Sequence, residues 1–283
     1  MKFQVNTFVL LTLLLVKPAW PQSETGTVIF FKWDNGEITM SADSKAIPVN
    51  GGKAHTQCKI VAFGDKFAFQ IAGLMDNDVP GGFDLRSIAK KIWESDSLHE
   101  TDADKLVQTV SDRWIRETKP IYGAPDYLRH KRRNQPDSPV LGNVVFAATD
   151  KAGKLSARAI NIVFDVQAFD STGEVRLTYP SEFEYPRKWI TAGSSGVIME
   201  YMNRSTKRAK DFMDKWHSEH AKLNPSVRQS DLAREMIALS LQLQPDRDKL
   251  GPPIEVVKIE PFKGISWIDK GNHCDVKSRT KSH

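Results

Sequence analysis

The sequence predicts an α+β fold of stacked sheets and helices, and three stretches predict it. Val28-Ile29-Phe30-Phe31-Lys32-Trp33 is apolar and β-branched with hardly any alternation. Both faces of such a strand are expected to be covered, as in a sheet inside a layered sandwich. Asn35-Gly36 then separates it from Glu37 to Asp43. Asn-Gly between two such runs is the strongest short-range hairpin signal, because both turn residues must tolerate positive φ. Two helical stripes follow a four-strand run.

Taken in order, the chain opens with Lys2 and an apolar run from Phe8 to Val16, relieved by Thr12 and ended by Lys17, Pro18 and Pro21. That pattern reads as an export signal over residues 1–23, with 24–26 as a short prosegment. The run is far shorter than the roughly 20 residues a spanning helix needs. No clean small-x-small cleavage site is visible, so an uncleaved anchor or a mis-set start codon stays open. After the hairpin, Pro48, Asn50, Gly51 and Gly52 make 47–56 a loop. Strands are expected at Gln57 to Phe63 and Phe67 to Ile71, turning at Gly64-Asp65-Lys66, with a break at Val79 to Gly82.

Leu85, Ile88, Ala89, Ile92 and Trp93 form one helical stripe. Thr101, with Asp104 three residues on, is the expected N-cap of a second helix carrying Ala103, Leu106, Val107, Val110 and Trp114. Residues 119–140 hold four prolines and His130-Lys131-Arg132-Arg133, and are expected to be an extended surface loop. Asn143 to Thr149 and Ser156 to Phe164 pair around Asp150 to Gly153, and short strands are expected over 165–190. Trp189 to Gly196 leads into a long helix bearing His217 and His220. Ser230-Asp231 caps a last helix that Pro245 ends, and Gly251 to Ile259 closes as a strand. The main domain is thus expected over 27–262, with 263–283 as a tail of no assigned role.

Composition excludes little but narrows the partners. A hydrophobic content of 40% and a charged content of 27% suit a globular chain with a sizeable core. The net charge of +5 is mild, and loss of Lys2 and Lys17 with a leader lowers it further. The basic tetrad has no aromatic platform beside it, so no nucleic-acid partner is expected. His217 and His220 lack a third ligand at sensible spacing, and no metal site is expected. Cys58 and Cys274 pair in an oxidising compartment or stand as two free thiols; sequence leaves both open.

Asp43 lies sixteen residues after Thr27, and Lys59 sixteen after Asp43. Gly26-Thr27 opening a strand, Ala42-Asp43-Ser44-Lys45-Ala46 closing the hairpin, Cys58-Lys59-Ile60 and Ile71-Ala72-Gly73 together resemble a proteasome-type β subunit, including its bacterial two-ring relatives. Gly251-Pro252-Pro253-Ile254-Glu255-Val256 resembles that family's late strand entry. The resemblance is specific over the first fifty residues from Thr27 and loose in the middle.

It implies a four-layer αββα sandwich of two antiparallel sheets covered by helix pairs, as in N-terminal-nucleophile hydrolases. It further implies autocleavage at Gly26, so that Thr27 becomes nucleophile and its free α-amine the base, with an unperturbed pKa of about 7.7–8.0. Asp43 and Lys59 would be the paired charges beside it, Gly73 an oxyanion donor and Ser194 a supporting hydroxyl, with an N-cap role equally open to Ser194. Ala46, Gln57, Ile71 and Met75 would line a mostly apolar specificity pocket. No metal or organic cofactor is needed for this chemistry.

The family's late Asp-x-x-Ser is missing: the chain reads Asp246 to Leu250, and neither Asp246 nor Asp248 matches cleanly. The reading is therefore an exported (periplasmic or secreted) threonine peptidase acting on peptide or amide substrates. A homo-oligomeric ring is an option, and no stable membrane insertion is expected once the signal is removed. A small-molecule amidohydrolase and a non-catalytic scaffold or binding subunit on the same fold are the alternatives.

Overall fold

The computed structural model describes residues 22–24, 27–34, 36–46, 54–77, 82–96, 101–181, 189–245 and 249–270. Two antiparallel sheets carry the fold. The first contains β2 (Val28–Asp34), β3 (Glu37–Asp43), β11 (Trp189–Gly193), β12 (Ile254–Glu260) and β13 (Gly264–Asp269), in the order β11-β2-β3-β12-β13. The second contains β1 (Gln22–Glu24), β7 (Phe67–Asn77), β8 (Val140–Thr149), β9 (Leu155–Phe164) and β10 (Leu177–Thr178), in the order β1-β7-β8-β9-β10, with β6 (Ile60–Phe63) also on β7. A small ribbon of β4 (Lys45–Ala46) and β5 (His55–Thr56) stands apart.

The layers follow from where the apolar side chains go. Ile29, Phe31, Met40, Ala42 and Val257 from the first sheet meet Ala68, Ala72, Val145, Ala147 and Ala159 from the second. Many of the residues between the sheets are alanines, which allow the two sheets to approach closely. The outer face of the second sheet (Phe67, Phe69, Ile71, Phe146) packs on α1 (Leu85–Asp96), α2 (Ala103–Tyr122) and α3 (Pro125–Asn134). The outer face of the first (Val28, Phe30) packs on α5 (Gly196–Met202), α6 (Lys207–Glu219) and α7 (Pro225–Leu243). The result is the expected four-layer αββα sandwich. It explains why Val28–Phe31 is buried throughout: a strand between two layers has no wet face.

Several elements differ from the sequence reading, each for a local reason. Residues 119–134 are largely helical rather than an extended loop. Pro120 lies in the last turn of α2, and Pro125 takes the first position of α3, where its missing N–H costs nothing. The basic tetrad therefore ends a helix, where Arg132 pairs with Asp170 at 2.5 Å. Asp102, not Thr101, caps α2 through Asp104 N–H and Lys105 N–H. The segment after β9 forms α4 (Val166–Thr172) before the short β10. The long helix divides: Arg204, at φ +52°, interrupts it, and Thr206 caps α6 through Ala209 N–H. The last helix starts at Pro225 under an Asn224 cap, ahead of Ser230. Gly264–Asp269, inside the segment read as a tail, pairs with β12.

Candidate active site

Asp43 ends β3 and is wholly buried. Its Oδ1 accepts Val28 N–H at 2.9 Å and the Lys59 ammonium at 2.7 Å. Its Oδ2 accepts Gly251 N–H at 3.2 Å and Lys45 N–H at 3.3 Å. One carboxylate thus ties the strand that begins after Thr27, the chain entering β12 and the lysine at the start of β6. A buried acceptor with four donors is held in one orientation.

Lys59 has no exposed surface. Its carbonyl accepts Ile71 N–H at 3.0 Å, and its own N–H goes to Glu255 Oε2 at 3.1 Å. Burial lowers its pKa, while Asp43 and Glu255 act in the opposite direction. An amine in this setting stays paired yet gives up its proton more readily than one in water.

Thr27 precedes β2 and is buried, and its carbonyl accepts Ser194 N–H at 2.7 Å. Gly193 lies opposite Val28 at φ +76°, and a Cβ there would stand 1.8 Å from the Thr27 carbonyl oxygen. Only glycine lets β11 close against the start of β2. Ser194 is therefore brought to Thr27, through its backbone. The cap of α5 is the next residue, Ser195, whose side chain makes no cap bond.

Gly73 sits at φ +102° in β7, opposite Gly142, where a Cβ would meet Leu141 O at 2.7 Å. Immediately beyond it, Glu24 of β1 pairs with Leu74 and Gln22 with Asn77. Gln22–Glu24 thus runs antiparallel along the edge of β7, and two residues of the expected export signal, Gln22 and Ser23, belong to the sheet. Residues 1–21, Gly26, Asp246 and Asp248 lie outside the described residues.

Ala46, Ile71 and Met75 are fully buried, and Gln57 nearly so. The surroundings of Gln57 are charged. Its amide donates to Asp76, which pairs with Arg86 at 3.0 Å; Arg86 also holds Asp84 at 2.9 Å and the Cys58 carbonyl at 3.1 Å. Burial competes with these contacts at Asp84, and the net effect holds its carboxyl below the usual range. Cys58 is disulfide-bonded; Cys274, the other cysteine of the sequence, lies outside the described residues.

Sequence reasoning brought out Thr27, Asp43, Lys59, Gly73 and Ser194; hydrogen bonds bring Asp43, Lys59 and Ser194 to the start of β2, and Gly73 lies within β7 opposite Gly142. It missed Glu255 and Ser44, although Glu255 within the apolar run Ile254 to Val257 was the available signal. It also missed the Asp76–Arg86 pair. His217 and His220 lie away from this cluster; His220 stacks on Trp216 at 4.2 Å. Among the described residues no group of His, Cys, Asp and Glu is placed to hold a metal ion, and no helix is long and apolar enough to cross a membrane.

No protein-family model matches the chain, and no curated protein matches it. Among solved structures it is similar to the Anbu (Gly-1) mutant from Hyphomicrobium sp. strain MC1, at 12% identity and a TM-score of 0.45, over 86% of this chain and 87% of that one. It is also similar to Anbu (ancestral beta-subunit) from Yersinia bercovieri, at 11% identity and a TM-score of 0.45, over 86% and 87% of the two chains. The architecture described above rests on the chain's own strands, helices and core contacts.

Proposed function

We propose that this chain is a threonine-type N-terminal-nucleophile hydrolase, a peptidase acting on amide bonds after autocleavage at Gly26-Thr27. The observation that carries the reading is Asp43 Oδ1, which receives both the N–H next to Thr27 and the buried Lys59 ammonium. A fold gains little from burying such a pair, since apolar residues of similar volume do as well or better. A reacting group beside it gives the pair a use.

Once residue 26 is removed, the α-amine of Thr27 takes the hydroxyl proton as Oγ attacks the substrate carbonyl. The tetrahedral oxyanion meets a backbone N–H at Gly73, a contact of a kind worth about 2.7–4 kcal/mol. Collapse breaks the C–N bond, and the departing amine leaves with the proton held by the α-ammonium. Water then hydrolyses the ester on Oγ and restores the free threonine. Lys59 keeps positive charge beside the nucleophile and favours the neutral, basic amine.

Export belongs to the same proposal and is supported by the disulfide at Cys58, since disulfides persist in oxidising compartments. The resemblance to ring-forming subunits makes a homo-oligomer part of it as well, decided by sedimentation of the purified chain. A preference for a bulky apolar side chain or acyl group is part of the proposal; Ile71 and Met75 themselves belong to the core under the helices.

The test is trapping of the acyl-enzyme. Purified protein is mixed with apolar and charged peptide amides, quenched in acid and mapped by mass spectrometry. An acyl adduct on Thr27, formed faster from apolar substrates, is expected. Adducts from small non-peptide amides alone would move the assignment to an amidohydrolase. No adduct from any amide would leave a binding subunit.

A further inference from the structure

Asp43 is not the only buried carboxylate near Lys59. Glu255 of β12 is fully buried and lies opposite Ala42, one residue before Asp43. Its Oε1 accepts the Ser44 hydroxyl at 2.6 Å. Its Oε2 accepts Lys59 N–H at 3.1 Å and Ile60 N–H at 3.0 Å. The same side chain therefore grips the residue that follows Asp43 and the backbone of Lys59 itself. Ser44 is fixed in turn, its N–H on Gly251 O at 3.0 Å and its carbonyl receiving Gln57 N–H at 2.7 Å.

A carboxylate withdrawn from water is tolerated only when its lone pairs are met and a cation stands near. Both conditions hold: three donors reach the two oxygens, and the Lys59 charge attracts the carboxylate. An apolar residue at this strand position would pack without that cost, so the carboxylate points to the neighbouring site. We propose that Glu255 is a positioning residue, which clamps the backbone at Lys59 and sets both where its ammonium stands and how firmly it keeps its proton. The consequence for turnover rests on the hydrolase reading; the clamp itself does not.

The charged groups facing Glu255 are Lys59 and, across it, Asp43; Ser44 is neutral and the disulfide-bonded Cys58 does not titrate. Burial pushes Glu255 up to about 7, against the pull of its hydrogen bonds and of Lys59. Below that pH the protonated side chain no longer supports the ammonium, and Lys59 sheds its proton at lower pH than it otherwise would. A step near neutrality in the rate of self-cleavage follows, and it is absent without the carboxylate.

The experiment compares wild type with Glu255→Gln, which keeps shape and removes charge. The full-length chain is labelled at the lysine ε-carbon, and the Lys59 resonance is assigned by its disappearance in Lys59→Arg. Its NMR titration is followed together with the time course of self-cleavage by intact mass. Expected are a fall of at least half a pH unit in the Lys59 midpoint and self-cleavage slowed about tenfold, with the neutral step gone. An unchanged Lys59 midpoint in folded Glu255→Gln overturns the proposal. If that variant does not fold, Ser44→Ala decides in the same way, because losing the hydroxyl weakens the ionised carboxylate and lowers the Lys59 midpoint. Should wild type never self-cleave, the hydrolase reading fails, while the Lys59 midpoint still decides the clamp.

Discussion

Two buried regions of this chain meet along β7 and are built from opposite materials. On the helix side Phe69, Trp114 and Phe146 pack with ring centroids 5.2–5.8 Å apart. Where the sheets meet the start of β2, Asp43, Ser44, Lys59 and Glu255 are all without exposed surface. The first region is held by burial of apolar area, which is non-directional and tolerates some repacking. The second is held by hydrogen bonds whose donors and acceptors have no alternative partners in water. Aromatic packing stabilises the sandwich, and part of that stability offsets the desolvation of the polar cluster. Chemistry is to be sought in the buried region that weakens the fold.

Substitutions in the two regions should therefore fail in different ways. The largest effect is expected for Lys59→Met. It leaves Asp43 buried and uncompensated, a loss of about 3–5 kcal/mol in urea unfolding. It should also abolish self-cleavage in the intact-mass assay. Phe146→Ala should cost a similar amount, about 3–5 kcal/mol. Its folded fraction should nevertheless self-cleave within about twofold of wild type, which separates packing from chemistry.

Next in size is a pH effect. The folded-state pKa of Glu255, about 7, stands above its ordinary 4.5, so the folded chain binds more protons between those values. Its contribution is complete below pH 4.5 and is lost as pH rises to 7, about 3 kcal/mol in order of magnitude. Urea midpoints of wild type should decline across that window relative to Glu255→Gln. Equal slopes would show that Glu255 does not titrate there. The smallest effect is expected for Arg132→Ala, which removes a partly exposed pair with Asp170 and should change stability by less than about 1 kcal/mol.

Much of the fold was legible because the layers impose simple patterns. A strand covered on both faces reads as an unbroken apolar run, as at Val28–Phe31, and α1 reads as a stripe because one side meets the second sheet. Proline misled the reading around 119–140. Pro120 and Pro125 suggest a loop in sequence, yet Pro125 opens α3, where its missing N–H costs nothing, and Pro120 gives up one i→i−4 bond only two residues before α2 ends. Histidine spacing on one presumed long helix gave no hint of the break at Arg204, since nothing in an arginine announces positive φ.

The site was half legible. Asp43 and Lys59 stand at fixed spacing from Thr27 because β2, its hairpin and β3 set the first distance. Glu255 reaches the cluster from more than 190 residues away through pairing of β12 with β3, a contact local pattern cannot show. Gly193 is similar: Gly-Ser-Ser-Gly reads as any strand-to-helix turn, and its need for glycine appears only when the Thr27 carbonyl is opposite.

Whether Thr27 is unmasked to act is read directly at the N-terminus of the purified chain. Wild type and Thr27→Ala are purified from expressing cells, and their N-terminal sequences and intact masses are compared. Wild type is expected to begin at Thr27 while the variant retains Gly26. If both chains begin at the same residue upstream of Gly26, the nucleophile is never freed and the chain is not an N-terminal-nucleophile hydrolase.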